Sequence, residues 1–289
     1  MSELSLKKII AVTKTEYIKW ICNGRMFLLL MLLVFIKECV VDLLIERSIK
    51  MDSPLNFIEP FLAVGNSGIM VLILPVVYLT LMSDFPKVDG NSMLLLPRVG
   101  KYNWFLGQML FSVTSFHTFL LMVLLGTIFM VTNRAFVYNG WSLVITEYEA
   151  CFPQESGGFA SDLVPENLYN QLPPFRAAVF TYLFLGAYML VLVLIMMLFQ
   201  IWKKKMFGFF TSGVLITFGA AFCAIHADLK WLFPMAHSLI WVHYSDYYRK
   251  MEMPITYSVL YYVIWIVALC GMCFFSLKKM NFDTVQEVD

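Results

Sequence analysis

Long apolar runs alternate with short charge-bearing segments along this chain of 289 residues. Six runs hold about 20 or more mostly apolar residues, the length that a helix needs to cross the hydrocarbon core of a bilayer. Lipid offers no partner for backbone N–H and C=O groups, so each run is predicted to be helical unless protein or water covers a break. The predicted fold is therefore an all-α polytopic membrane protein, a single domain over residues 1–289, with six transmembrane helices at about 26–45, 61–82, 104–132, 175–201, 206–226 and 255–276.

The composition agrees with this fold. Hydrophobic residues make up 60% of the chain and charged residues 14%, against about 25% charged in a typical soluble domain. The net charge of +1 and the lack of a basic tract interleaved with aromatic residues argue against a nucleic-acid partner. The cysteines lie mostly in or beside the apolar runs, which is not the spacing of a disulfide framework. Cys270 and Cys273 form a CxxC inside an apolar run, where we interpret them as small core residues.

The distribution of basic residues predicts the orientation, because Lys and Arg favour the cytoplasmic side. With both termini inside, the inner segments hold 13 basic residues and the longer outer segments hold 7. The inner set is Lys7, Lys8, Lys14, Lys19, Arg25, Lys87, Arg98, Lys101, Lys203, Lys204, Lys205, Lys278 and Lys279. The outer set is Arg47, Lys50, Arg134, Arg176, Lys230, Arg249 and Lys250. Both termini are therefore predicted to be cytoplasmic.

Residues 1–25 are predicted to form a cytoplasmic elbow ahead of the first span. Apolar and aromatic residues recur over 4–21 at the spacing of one helical face, and lysines fall away from that face. Such a basic amphipathic helix suits the headgroup boundary of a membrane. The alternative is a soluble helix packed on a partner.

The first run differs from the others because Lys37, Glu38 and Asp42 interrupt its outer half. Ionisable residues at membrane depth are costly and usually face protein or water. One interpretation is that they border a hydrated cavity or a partner helix, which makes all three candidates for lining a translocation path. The other is that the helix leaves the hydrocarbon early and that these side chains lie near the surface.

The segment after the second run, 84–101, is predicted to lie in the cytoplasm and to carry a short helix over 89–96. Asp89 or Asn91 can cap such a helix, and Pro97 ends it. An apolar group on a cytoplasmic loop needs something to bury it. The apolar group here consists of Met93, Leu94, Leu95 and Leu96. We favour its docking into another protein over its folding back under the membrane domain.

Two outer segments are too unusual to be simple loops. Residues 133–174 exceed the length at which loops stay structureless and are predicted to form a small external cap. Residues 227–254 are apolar and aromatic-rich but too short to cross twice, which predicts a re-entrant or interfacial helical hairpin whose backbone is buried by protein or lines a cavity.

No common catalytic motif is present. The sequence contains no GxxxxGK[ST] loop, so the chain is not expected to bind and hydrolyse ATP itself, and it contains no HExxH or GxSxG. His237, His243 and Asp246 cluster in the sequence, and such residue types can bind zinc. Their spacing matches no recognised metal site, so neither a metal nor a catalytic residue is predicted.

The whole pattern resembles the permease subunits of bacterial ATP-binding-cassette exporters of the transport-permease type. The features that carry the resemblance are the elbow, the six spans with both ends inside, the apolar hairpin before the last span, and the motif residues Asp84, Phe85, Pro86, Arg98, Lys101, Trp104 and Gly107. The long outer segment at 133–174 departs from the usual pattern, in which the external mass lies before the last span.

This resemblance implies a function in the bacterial plasma membrane. Two permease subunits, identical or related, would pair within the lipid, and separate ATPase subunits carrying ATP and Mg²⁺ would dock below. Residues 89–96 would be the coupling helix, with Met93, Leu94, Leu95, Leu96 and Arg98 as its ATPase contacts. This chain itself would hold no cofactor and would not be an enzyme. Two alternatives stay open: a channel or passive carrier without an ATPase, and an intramembrane metal-dependent enzyme using His237, His243 and Asp246.

Overall fold

The computed structural model of the chain describes residues 4–86, 98–155, 163–245 and 250–279, and these are mostly helical. The α-helices are α1 (Leu6–Ile21), α2 (Phe27–Ile36), α3 (Asp42–Lys50), α4 (Glu59–Asn66), α5 (Gly68–Leu81), α6 (Lys101–Val131), α7 (Leu143–Thr146), α8 (Tyr148–Cys151), α9 (Glu166–Tyr169), α10 (Pro174–Ile201), α11 (Lys205–Ala224), α12 (Pro234–Ser238) and α13 (Ile255–Lys279). The two strands are β1 (Leu55–Asn56) and β2 (Ala135–Phe136), which pair in parallel.

Four of the described helices are long and apolar enough to cross a membrane, and a bent pair makes a fifth candidate. The four are α6, α10, α11 and α13, which match the last four predicted spans closely. The second predicted span is not one straight helix: α4 and α5 meet at Ser67 with an angle of 82°. The chain is thus a membrane-embedded helical protein, as predicted, with four or five candidate spans by length and composition.

The first predicted span does not reach the apolar length of the other candidates. Helix α2 supplies ten apolar residues, a π-helical turn follows over Lys37–Val41, and α3 is largely polar. The three charges in this stretch keep the apolar part short. The backbone is nevertheless helical without a break from Phe27 to Lys50.

Helix α10 lies at the centre of the bundle. In its most apolar 18-residue window 78% of the residues are buried, against 22–33% in α6, α11 and α13. Close contacts explain the position: Gly186 leaves room for the ring of Phe116 on α6, and a side chain there would approach Phe116 Cε2 to 2.7 Å. The surrounding helices therefore turn their remaining apolar side chains outward, as expected of helices that face lipid.

The connecting segments gather at two opposite ends of the bundle. At one end Asp84, after α5, pairs with Arg25 before α2 and with Lys205 at the start of α11. At the other end the outer segments meet, and the Lys50 ammonium lies 2.9 Å from a Glu155 carboxylate oxygen. These ion pairs thus join segments predicted to be cytoplasmic at one end and segments predicted to be external at the other.

Helix α1 occupies the stretch predicted to be the N-terminal helix and packs along α6. Thr13 Oγ1 donates to Gly107 O at 3.0 Å, and the Tyr17 and Thr118 hydroxyls lie 3.0 Å apart. With Asn103 Oδ1 accepting from Ser5 N, the contacts extend about 22 Å along α6. Helix α1 therefore packs against the first half of α6, from Asn103 to Thr118.

Candidate functional site

The break between α4 and α5 is held by one buried side chain, that of Asn66. Its amide nitrogen donates to Leu62 O at 3.1 Å and to Thr181 Oγ1 on α10 at 2.9 Å. Its amide oxygen accepts from Ile240 N at 3.2 Å, and its backbone oxygen accepts from Trp241 Nε1 at 2.8 Å. These bonds satisfy polar groups that the end of a helix leaves without partners.

The partner that covers this break is the predicted hairpin. After a 3₁₀ turn at Asp228–Leu232 come α12 and a second 3₁₀ turn at Trp241–His243. All residues from 234 to 240 are buried. Asn167 on α9 donates to the carbonyls of Trp241 and Tyr244, both at 3.1 Å. The segment 234–240 is buried by protein, and what it covers is the interrupted helix; its re-entrant or interfacial position in a membrane stays a prediction.

Two side chains of the hairpin, His237 and His243, converge on Ser258 of α13. Ser258 Oγ lies 2.7 Å from His237 Nδ1 and 2.7 Å from His243 Nε2. The other ring nitrogens contact backbone carbonyls, His237 Nε2 that of Trp231 at 2.9 Å and His243 Nδ1 that of Leu239 at 3.0 Å. Burial lowers the pKa of His237, and it lowers that of His243 to about 4.

A serine beside histidine is also the arrangement of a nucleophile and its base, so the enzyme alternative must be weighed here. Ser258 and His243 are completely buried and His237 is 3% exposed. A substrate carbonyl cannot reach Ser258 Oγ in this conformation. Asp246, the third residue of that hypothesis, lies outside the described residues. Within the described part of the chain, no group of three or more His, Cys, Asp or Glu side chains could hold a metal ion.

The three charged residues of the first predicted span form one cluster at the π-helical turn. Lys37 Nζ lies 2.6 Å from Asp42 Oδ2 and 3.2 Å from Glu38 Oε1. The extra residue of the π turn brings positions five apart into line, which is how Lys37 reaches Asp42. Their side chains are 40–65% exposed, so within this chain the cluster lies on an open face.

The four apolar docking candidates, Met93, Leu94, Leu95 and Leu96, lie outside the described residues, but both flanks of their segment are described. On the near side, burial raises the pKa of Asp84, yet its bonds to Lys205 and Arg25 outweigh this and hold the pKa below its usual range. The ring of Phe85 packs on Phe111 of α6, with centroids 5.5 Å apart.

The far flank of the same segment is fixed to α6 and α1. Arg98 is exposed and Val99 is buried. Gly100 has φ of 86°, a conformation that favours glycine, and it turns the chain into α6. Asn103 is completely buried; its amide nitrogen donates to Val99 O at 2.9 Å while its amide oxygen accepts from Ser5 N.

The outer segment 133–174 is folded in its described parts, as predicted for a cap. Glu59, at the start of α4, accepts hydrogen bonds from Ser142 N at 2.6 Å, Ser142 Oγ at 2.8 Å and Asn56 N at 2.8 Å. Arg47 of α3 lies over the ring of Tyr148, 4.4 Å from its centroid. The cap therefore joins the outer ends of α3 and α4.

Sequence reasoning did not predict the roles of three residues described above, Asn66, Glu59 and Ser258. Asn66 had a visible signal, because Gly65-Asn66-Ser67-Gly68 is a breaker sequence within an apolar run. Glu59 and Ser258 had no such signal, because their partners are far away in the sequence.

Comparisons of the chain with protein-family models, with curated proteins and with solved structures found no match.

Proposed function

We propose that this chain is the membrane-spanning permease subunit of an ATP-driven exporter in the bacterial plasma membrane. The observation that carries the proposal is the anchoring of both flanks of the 87–97 segment in the bundle. The near flank joins α2, α5 and α11 through Asp84, and the far flank joins α1 and α6 through Asn103. A load applied between these flanks reaches five helices at once.

In this proposal the membrane is crossed six times, with both termini in the cytoplasm. The crossing that this adds to the five candidates is the first along the chain, the unbroken helix from Phe27 to Lys50. Its first residues adjoin the ion cluster of Asp84 at one end of the bundle, and Lys50 binds Glu155 at the other. Its 24 residues extend about 36 Å, which exceeds the roughly 30 Å of a hydrocarbon core.

The energy would come from a separate ATPase subunit that carries ATP and Mg²⁺. Residues 89–96 would seat on that subunit, with Met93, Leu94, Leu95, Leu96 and Arg98 as contacts. Only an element with different contacts in two states can transmit the free energy of nucleotide binding. The open face around Lys37, Glu38 and Asp42 supports a second permease subunit or a hydrated path beside it, because charges at this depth need a polar or protein neighbour.

The test is co-purification. The tagged chain is purified from its host in a mild detergent, bound proteins are identified by mass spectrometry, and vanadate-sensitive ATP hydrolysis is measured. We expect an ATP-binding-cassette ATPase to accompany the wild-type chain. Replacing Leu94 and Leu95 together with Asp should remove both the ATPase and its activity while leaving the membrane domain folded.

The matched control places the same two charges at the other end of the bundle. Val137 and Leu143 are 78% and 51% exposed in the outer segments, so their replacement by Asp should leave the ATPase bound. Retention of the ATPase by both double variants would contradict the docking assignment. A chain that co-purifies with no ATPase and conducts ions in liposomes would favour the channel or passive carrier.

A further inference from the structure

The buried cluster of His237, Ser258 and His243 is one hydrogen short when all three side chains are neutral. A backbone carbonyl only accepts hydrogen bonds. His237 Nε2 and His243 Nδ1 both contact carbonyls, so each of these nitrogens carries the hydrogen of its neutral ring. The opposite nitrogens, His237 Nδ1 and His243 Nε2, are then bare.

Both bare nitrogens face the same hydroxyl. Ser258 Oγ is 2.7 Å from each of them, but a serine has one hydroxyl hydrogen to donate. It satisfies one imidazole, and the other contact then sets a nitrogen lone pair against an oxygen lone pair. One added hydrogen ion completes the chain, because the protonated imidazole donates to Ser258 Oγ and the hydroxyl donates to the other ring.

We infer that the His237–Ser258–His243 cluster is a binding site for one proton, shared between the two imidazoles through the serine hydroxyl. The proton can sit on either ring, since reversing the direction of the two inner hydrogen bonds moves it from one to the other. Binding the proton forms one N–H bond; in the transfer that N–H bond breaks, Ser258 Oγ gains its hydrogen as the hydroxyl gives its own to the other imidazole, and a new N–H bond forms there. The site is separate from the ATPase-docking segment and does not depend on the proposed transport function.

The surroundings fit a cation held by aromatic faces. The ring of Tyr261 on α13 is stacked on His237 with centroids 3.9 Å apart, and Trp231 lies 5.3 Å from His243. Aromatic faces attract positive charge. On the described elements around the site, the titratable groups include Lys230, Glu252, Tyr261, Tyr262, Tyr188, Cys223, Tyr244, Asp228 and His226. Lys230 pairs with Glu252 at 3.4 Å, which reduces its repulsion of the added charge.

Two effects oppose each other at this site. Desolvation lowers the pKa of both imidazoles, and it acts on any buried histidine. The shared hydroxyl acts in the opposite direction, because the added proton replaces a lone-pair contact with a charge-assisted hydrogen bond. The cluster therefore binds its proton at a higher pH than the same rings would without Ser258.

The bound proton joins the hairpin to α13. With it, α13 is tied through Ser258 to both histidines of the hairpin; without it, one of these bonds is lost.

Nitrogen NMR of histidine-labelled protein in liposomes tests the inference directly. His117 and His226 are replaced with Gln, so that only the two cluster histidines give signals. The neutral cluster has two protonated and two bare ring nitrogens. The protonated cluster has three protonated and one bare. We expect the second pattern to develop as the pH is lowered, at a pH above that seen for Ser258→Ala, whose proton affinity should be lower by about tenfold or more.

Two further variants isolate the hydroxyl. Ser258→Thr keeps it and should titrate like the parent. Ser115→Ala removes a buried serine hydroxyl that contacts Tyr78 instead and should also titrate like the parent. Equal titration of the parent and Ser258→Ala overturns the inference. If Ser258→Ala does not fold, the parent alone decides. Burial lowers the pKa of His243 to about 4. A parent that keeps two bare ring nitrogens down to that pH overturns the inference, and a parent with one bare ring nitrogen at a higher pH supports it.

Discussion

Replacement of Asn66 with Ala should destabilise the fold by about 2–4 kcal/mol. The variant loses two hydrogen bonds donated by the amide, one to Leu62 O within α4 and one to Thr181 Oγ1 on α10. We assign each about 0.6 kcal/mol, the average for bonds between membrane helices. It also leaves Ile240 N–H buried without its acceptor, since Ile240 is completely buried. An orphaned buried donor costs about 1–3 kcal/mol, and this is the larger part of the expected effect.

The measurement is unfolding of the purified protein in mixed micelles of mild detergent and SDS, followed by helical circular dichroism. Labelling of Cys223 by a maleimide reports locally, because this thiol is 8% exposed on α11, which packs against the hairpin. We expect Asn66→Ala to lower the free energy of unfolding and to speed labelling of Cys223 under native conditions.

The control is Thr181→Val, which keeps the shape of the side chain and removes only one acceptor of Asn66. It should cost about 0.6 kcal/mol. A loss below about 0.5 kcal/mol for Asn66→Ala, or equal losses for the two variants, would refute the reasoning. The hairpin would then cover the broken helix without holding it.

Three further predictions concern other parts of the molecule. Gly107→Ala should destabilise the fold by about 1–3 kcal/mol because its Cβ would lie 2.7 Å from Val12 Cβ; adding Val12→Ala should recover part of the loss in thermal unfolding. Asp84→Asn should cost at most about 1 kcal/mol, since the carboxylate is 37% exposed and therefore screened by solvent. Its lowered pKa means that this contribution is present above pH of about 4 and disappears as the pH falls below it, so the unfolding midpoints of the two proteins should converge in acid. Lys37→Gln should reduce the yield of monodisperse protein in size-exclusion chromatography, and adding Asp42→Asn should restore it, whereas equal yields would show that the cluster does not need its cation.

The four long spans could be predicted from the sequence almost to the residue. The third predicted span, 104–132, corresponds to α6 at Lys101–Val131, and the fourth, 175–201, to α10 at Pro174–Ile201. Length and hydropathy alone determine such helices, because the requirement to satisfy the backbone within lipid outweighs local propensity.

What could not be predicted depends on contacts between distant residues. The π-helical turn at Lys37 places its ammonium beside Asp42, and apolar periodicity carries no information on that choice. Ser258 is one polar residue in an apolar helix, and it gains meaning only when the hairpin brings two imidazoles to it. The 82° bend at Ser67 lies between these cases: the breaker residues were visible, but their partners, Thr181 and the hairpin, were not.

The broken helix and the anchored flanks of the 87–97 segment together define how a load would travel through the bundle in the proposed exporter. Helix α5 ends near Asp84 and begins at the Ser67 break. A continuous helix over 59–81 would carry any tilt of its Asp84 end to the segment 133–174, which Glu59 contacts through Ser142. Because the chain bends by 82° at Ser67, α5 can tilt about that point while Asn66 holds α4 to α10 and to the hairpin. If the proposed ATPase drives the 87–97 segment, we expect the motion to move α5 against α4 and the hairpin, and the hairpin contacts of Asn66 to decide how much of it reaches α13.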